Sequence, residues 1–122
     1  EQNNAIYREQ SLLVQELAEK SDCVIVGRSA DYILRDKKPL RLFIYADMES
    51  RMERCRKRAP EQEHFTDKEL RRHIQDVDKR RSKYYQFFTG QTWGEKLNYD
   101  LCINTSGANI EDLVKVIAKL VK

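Results

Sequence analysis

Hydrophobic positions along the chain follow two periods, and their order predicts the elements. In residues 4 to 19, Ile6, Leu13 and Leu17 form a stripe that Leu12 and Val14 widen. Mostly polar residues lie opposite, which is the pattern of a helix. Ser21-Asp22 ends it. Cys23, Val24, Ile25 and Val26 then run without a polar interruption, as a strand covered on both faces does in a parallel sheet. The run stops at Gly27. Ser29 to Leu34 predicts a short helix and RDKKP a turn. LRLFIY, Leu40 to Tyr45, predicts a second strand, and Asp47 is placed to cap a helix from Met48 to about Arg58. Pro60 closes that helix and EQEHF reads as a loop.

Thr66 with Glu69 forms the sequence of a capping box and opens a long helix. Leu70, Ile74, Val77, Tyr84 and Phe88 recur along it, with Arg81 interrupting the stripe, and it should end before Thr89-Gly90. GQTWGEKLN is a loop. Tyr99 to Asn104 predicts a third short strand, and Asn109 to Val121 a final amphipathic helix. Strands separated by helices argue for an α/β fold with a parallel sheet. Three strands make a small sheet, so the expected domain is an incomplete one.

Composition narrows the setting. The chain has 122 residues, 40% of them hydrophobic and 35% charged, enough for one domain. No run approaches the length of a membrane-spanning helix, and the opening EQNNAIYREQ has no apolar stretch of a secretory signal. The first residue is not Met, as expected either of a processed chain or of one that starts within a longer protein. Cys23, Cys55 and Cys102 do not pair evenly and match no zinc spacing. Cys23 and Cys102 read as small hydrophobes in strand runs, and a reducing, cytoplasmic location is the expectation. No metal site is expected in the chain.

Charge changes the picture more. Of a net charge of +3, the positive part is concentrated in residues 51 to 83, with 12 Lys or Arg against 7 Asp or Glu. Such a segment implies an anionic partner. Arg51, Arg54 and Arg58 recur on one helical face. Stacked guanidiniums repel unless an anion lies between them, and a polyphosphate meets that need. A solvated helical hairpin with internal ion pairs is the alternative. Tyr84 to Phe88 and Trp93 either pack the end of the long helix or stack bases. His64 and His73 read as surface residues.

Ligands of open α/β sheets bind beyond the carboxyl ends of the strands. Gly27 and Arg28 follow the first strand, Asp47 the second, and Asn104, Thr105 and Ser106 the third. Gly27 permits a sharp turn, and Arg28 offers a fork of donors suited to phosphate or carboxylate. Asp31 either orients that arginine, meets the ligand, or joins Arg28 in merely capping a short helix.

Three motifs in order, GRSADYIL, DKRRxxYYxxxTGxxWG and NYDLCINTS, lie within CVIVGRSADYILRDKKPLRLFIYADMESRMERC and DVDKRRSKYYQFFTGQTWGEKLNYDLCINTS. Together these stretches resemble the cytidylate-kinase-like family of P-loop phosphotransferases over nearly the entire chain. The resemblance implies a three-layer α/β/α parallel-sheet, P-loop kinase-like fold with a helical lid. It implies transfer of the γ-phosphoryl group of ATP, with Mg²⁺, to CMP or dCMP. By that resemblance Gly27, Arg28 and Asp31 hold the acceptor nucleotide, although Ser29 stands where the family's acid usually follows the arginine. Residues 51–88 form an arginine-rich lid, with Arg54 and Arg58 at its start, Arg80 and Arg81 at its return, and Asp78 bracing them. Asn104 and Thr105 lie near the nucleotide base. Only one of Arg80 and Arg81 is expected to face the phosphates, since adjacent helical residues point about 100° apart.

The family's glycine-rich phosphate loop, GxxxxGK[ST], does not occur in this sequence. The resemblance places the strand that precedes that loop between those of Val24 and Phe43. Two expectations follow. These 122 residues alone do not phosphorylate CMP, and they are marginal as an isolated monomer unless the sheet is rearranged or is completed by self-association or by another chain. The alternatives are a non-catalytic, kinase-derived assembly domain and a basic nucleic-acid-binding module, with nucleic acid the less favoured partner.

Overall fold

In a computed structural model, residues 2–59 and 64–121 are described. Pro60, expected to close a helix, and residues 61–63 of the expected loop lie outside them. The chain divides into two units, Glu1–Pro39 and Leu40–Lys122.

The first unit is α1 (Gln2–Lys20), an extended stretch, α2 (Ala30–Ile33) and a 3₁₀ turn at Arg35–Lys37. Its core is small: Val14, Ala30 and Leu34 are buried, with Ala18, Ile25 and Ile33 packed against them. The helix therefore buries the Val14–Ala18 edge, one turn apart. The predicted stripe is turned outward, with Ile6 51%, Leu13 54% and Leu17 44% exposed. Gly27, Arg28 and Ser29 follow one another at φ 71°, 61° and 55°. Left-handed backbone costs a non-glycine residue about 1–2 kcal/mol, so Arg28 and Ser29 hold this turn under strain.

The second unit is organised on two short strands, β1 (Leu42–Tyr45) and β2 (Leu101–Asn104). They pair in parallel, Leu42 with Leu101 through Tyr45 with Asn104. Arg41 and Asp100 lock the entry. The Arg41 N–H donates to Asp100 Oδ2 at 2.7 Å, and the Asp100 N–H donates back to the Arg41 carbonyl at 2.8 Å. Hydrogen bonds from the Arg41 backbone and side chain, with its charge, hold the Asp100 carboxyl below the usual aspartate range. At the exit, the Thr105 N–H donates to the Tyr45 carbonyl at 2.8 Å.

Two helices follow β1. In α3 (Met48–Arg58), Asp47 Oδ1 accepts from the Ser50 N–H at 2.8 Å as the N-cap. In α4 (Asp67–Thr89), Thr66 and Glu69 form the reciprocal capping box, and Gly90 closes the helix at φ 72°. Met52, Leu70 and Ile74 make the core between them, with Met48, Cys55 and Phe65 alongside. After a 3₁₀ turn at Lys96–Asn98 and β2, the chain ends in α5 (Ile110–Ala118), capped by Asn109. This helix is shorter than its apolar pattern predicts.

The three-layer α/β/α parallel-sheet, P-loop kinase-like architecture is not what these residues form. Among the described residues the fold is mostly helical, with one open two-stranded sheet. The first expected strand, Cys23–Val26, enters no ladder, and Val24 and Val26 are 94% and 88% exposed. Apolarity alone does not make a strand, since its backbone donors and acceptors need a partner chain of hydrogen bonds. Cys23 and Cys102, expected to be buried, are exposed as well. No helix among the described residues is long and apolar enough to cross a membrane.

The packing predicts opposite outcomes for two apolar truncations. Leu70→Ala, at a side chain with 0% exposure, is expected to cost about 2–5 kcal/mol in urea unfolding. Val24→Ala, at 94% exposure, is expected to stay within about 0.5 kcal/mol of the parent chain. A large loss at Val24 would restore the buried-strand reading.

Candidate phosphate-binding site

The carboxyl ends of β1 and β2 open into a hollow of about 260 Å³ within the second unit. Its basic wall comes from the two long helices. Arg51 reaches across from α3 to α4, and its two terminal nitrogens meet the two oxygens of Asp78 at 2.7 and 2.8 Å. Arg81, one turn along α4 from Asp78, donates to Asp78 Oδ1 at 2.7 Å. Asp78 is thus shared between two guanidiniums. Burial opposes its charged form, but the hydrogen bonds from Arg51 and Arg81 and their charges outweigh that, and its pKa is lowered.

Arg54 has a different task. It donates to the Thr105 hydroxyl at 2.9 Å and to the Thr105 carbonyl at 2.6 Å. The same hydroxyl donates to the Tyr45 carbonyl at 3.0 Å. One buried threonine therefore ties α3 to the exits of both strands. Ser106 Oγ accepts from the Asp47 N–H at 2.7 Å, and Asn104 Oδ1 accepts from the Ser106 N–H at 3.0 Å, which closes the turn. The Ser50 N–H bond, with smaller contributions from Ser106 and Arg54, lowers the Asp47 pKa.

Aromatic side chains complete the lining. Phe43 lies 5.3 Å from Trp93, ring planes at 82°, and 5.0 Å from Tyr99. Gly94 follows Trp93 at φ 84°, and a Cβ there would come within 3.2 Å of the Phe43 ring, so glycine lets the loop close on the aromatic group. The Arg81 guanidinium sits 5.1 Å above the Trp93 ring, within cation–π range.

Several expected residues gather here. Arg54, Arg81, Asp78 and Thr105 line the hollow. Arg58 and Arg80 are exposed and do not. Arg80 and Arg81 diverge as adjacent helical residues must, and Arg81 is the one turned inward. Asn104 sits at the rim turn. Gly27, Arg28 and Asp31 belong to the first unit, where Arg28 is exposed and Ser29 is buried with its Oγ unpartnered. Arg51 and Trp93 also line the hollow; the resemblance gave neither a role, whereas the arginine spacing of α3 and the aromatic cluster had pointed to them.

The family can now be fixed. The sequence matches the cytidylate kinase-like family over residues 1–107. The chain belongs to that family. A search of curated proteins returned no match. Among solved structures, the chain is similar to an uncharacterized protein from Eubacterium ventriosum ATCC 27560, at 28% identity and a TM-score of 0.84. The similarity covers 95% of this chain and 64% of that one, so the chain spans less than two thirds of this relative. Family membership does not restore the layered sheet, because only two strands are formed.

Phosphoryl oxygens suit the donors of this hollow, whereas a metal ion does not suit its single carboxylate, already shared by two arginines. No group of three or more His, Cys, Asp or Glu side chains able to hold a metal occurs among the described residues.

Titration of Asp78 has a defined sign. Its pKa is lower in the folded chain, so the stability it contributes is complete above the unfolded value, about 3.9. That contribution is lost as pH falls through the lower folded value. Urea unfolding of the parent chain and of Asp78→Asn, compared between pH 2 and 6, should differ by up to about 1 kcal/mol at pH 6 and converge in acid. A gap that persists at pH 2 would mean that the charge is not its source.

Proposed function

We propose that the chain is the acceptor- and lid-bearing portion of a nucleoside monophosphate kinase, which transfers the γ-phosphoryl group of ATP to CMP or dCMP. One observation carries this reading. Three guanidiniums, of Arg51, Arg54 and Arg81, and one carboxylate, of Asp78, share a hollow at the strand ends, leaving an excess of two positive charges. A dianionic phosphoryl group matches that excess. Membership of the cytidylate kinase-like family supports the choice of a nucleotide over other phosphates.

Within the reading, Arg51 and Arg81 contact phosphoryl oxygens, and Asp78 holds both forks in place before the ligand arrives. Arg54 keeps α3 at the strand ends. Arg58 and Arg80 lie on the 51–88 lid and contribute to its positive field. Gly27, Arg28 and Asp31 serve the acceptor, and Asn104 and Thr105 border the nucleotide. Phosphoryl transfer asks the protein mainly to position reactants and neutralise charge, which is what arginines can supply. Within the same reading, ATP and its Mg²⁺ are co-substrates of the complete enzyme.

Calorimetric titration with CMP, dCMP and inorganic phosphate tests the reading. Phosphate-bearing ligands should bind, weaken with rising salt, and lose at least tenfold in affinity in Arg51→Gln, since a hydrogen bond to a charged group is worth about 1.5–3 kcal/mol. Arg28→Ala should selectively weaken CMP. With no GxxxxGK[ST] in the sequence, phosphorylation of CMP by these 122 residues alone should be undetectable. Binding indifferent to Arg51 would remove the hollow from the mechanism, and turnover would remove the need for the absent motif.

A further inference from the structure

The hollow has two walls of unlike chemistry, and simple phosphate binding uses only one. Beside Arg51 and Arg81, the lining includes Tyr45, Phe43 and Trp93. Tyr45 is 45% exposed and Trp93 is half-buried, so both rings remain accessible. Phe43 backs the two, 6.2 Å from Tyr45 and 5.3 Å from Trp93. Trp93 is further fixed by the turn at Gly94, whose N–H donates to Tyr99 Oη at 3.3 Å. A ring fixed by its neighbours becomes a stacking platform once the Arg81 guanidinium over it moves aside.

The same walls offer little with which to read a base by its edge. No amide side chain lines the hollow. The Thr105 hydroxyl is engaged on both sides, donating to the Tyr45 carbonyl and accepting from Arg54. Asp78 is engaged by two arginines. Arg81 now covers the Trp93 ring and its side chain is 57% exposed, so drawing the guanidinium onto a phosphate would clear the indole face.

We infer that Trp93, backed by Phe43 and flanked by Tyr45, stacks the base of a nucleoside monophosphate whose phosphate is held by Arg51 and Arg81, and that this hollow accepts different bases. The inference rests on the reading of the hollow as a phosphate site. Stacking serves every base because every base has a π face. Strong discrimination needs a buried polar group left unpaired by the wrong ligand, and the buried polar side chain of the lining, Thr105, is already engaged.

Trp93 is the single tryptophan of the chain, so its emission reports on the platform directly. The 122-residue chain is titrated with CMP, UMP, AMP, ribose 5-phosphate and inorganic phosphate, by fluorescence and by calorimetry. The three nucleotides are expected to bind within about tenfold of one another and at least about tenfold tighter than ribose 5-phosphate, with a change in Trp93 emission. Trp93→Leu should bring them to the level of ribose 5-phosphate, and Trp93→Phe should recover much of the difference. Tyr45→Ala, at an exposed ring, should weaken nucleotides alone even if the Trp93 variants fold poorly. Ribose 5-phosphate binding as tightly as the nucleotides would overturn the stacking role and leave the phosphate site standing. A preference above about a hundredfold for one base would overturn the tolerance. Silence toward all five ligands would remove the phosphate site and this inference with it.

Discussion

Four residues of β1 and four of β2 pair in parallel, and both ends of that short ladder are fastened by side chains. At the entry, Arg41 and Asp100 exchange main-chain and side-chain hydrogen bonds. At the exit, Thr105 receives Arg54 and reaches the Tyr45 carbonyl. A two-stranded sheet is marginal by itself, so these fastenings decide whether the hollow exists. Because Arg54 stands on α3, the exit clamp also fixes where the α3–α4 pair presents its guanidiniums. The site follows from the ladder.

Within that frame, the carboxylate of Asp78 sets the arrangement of positive charge. Arg51 and Arg81 come from different helices and would repel at this distance without it. Their forks are directed toward one point by a single acceptor, which lowers the cost of organising them for a phosphoryl group. The arginines therefore differ in kind: Arg54 is committed to the backbone, Arg51 and Arg81 to an exchangeable partner, and Arg58 and Arg80 to solvent.

Local signals in the sequence were legible where one element satisfies itself. The caps at Asp47 and Thr66 and the arginine face of α3 could all be read from adjacent residues. Signals that depend on a partner were not. The run Cys23–Val26 has the composition of a buried strand, yet nothing in those four residues says whether a neighbouring strand is there to bond them. The stripe on α1 likewise gave a helix but the wrong buried edge, since Val14 and Ala18 are selected by Ala30 and Leu34. Arg81 looked like a break in an apolar pattern and instead lines the site. Trp93 depends on Phe43, fifty residues earlier, and no periodicity connects them.

The clamps that close the hollow join positions far apart in the chain. Arg41 meets Asp100 across 59 residues, and Tyr45 meets Thr105 across 60. Closing a loop of that length costs about 3–4 kcal/mol of chain entropy. The α3–α4 pair needs only a short connection, so it can assemble early while the ladder must wait. Loop-closure entropy therefore favours gathering the arginines of α3 and α4 before the floor beneath them is laid.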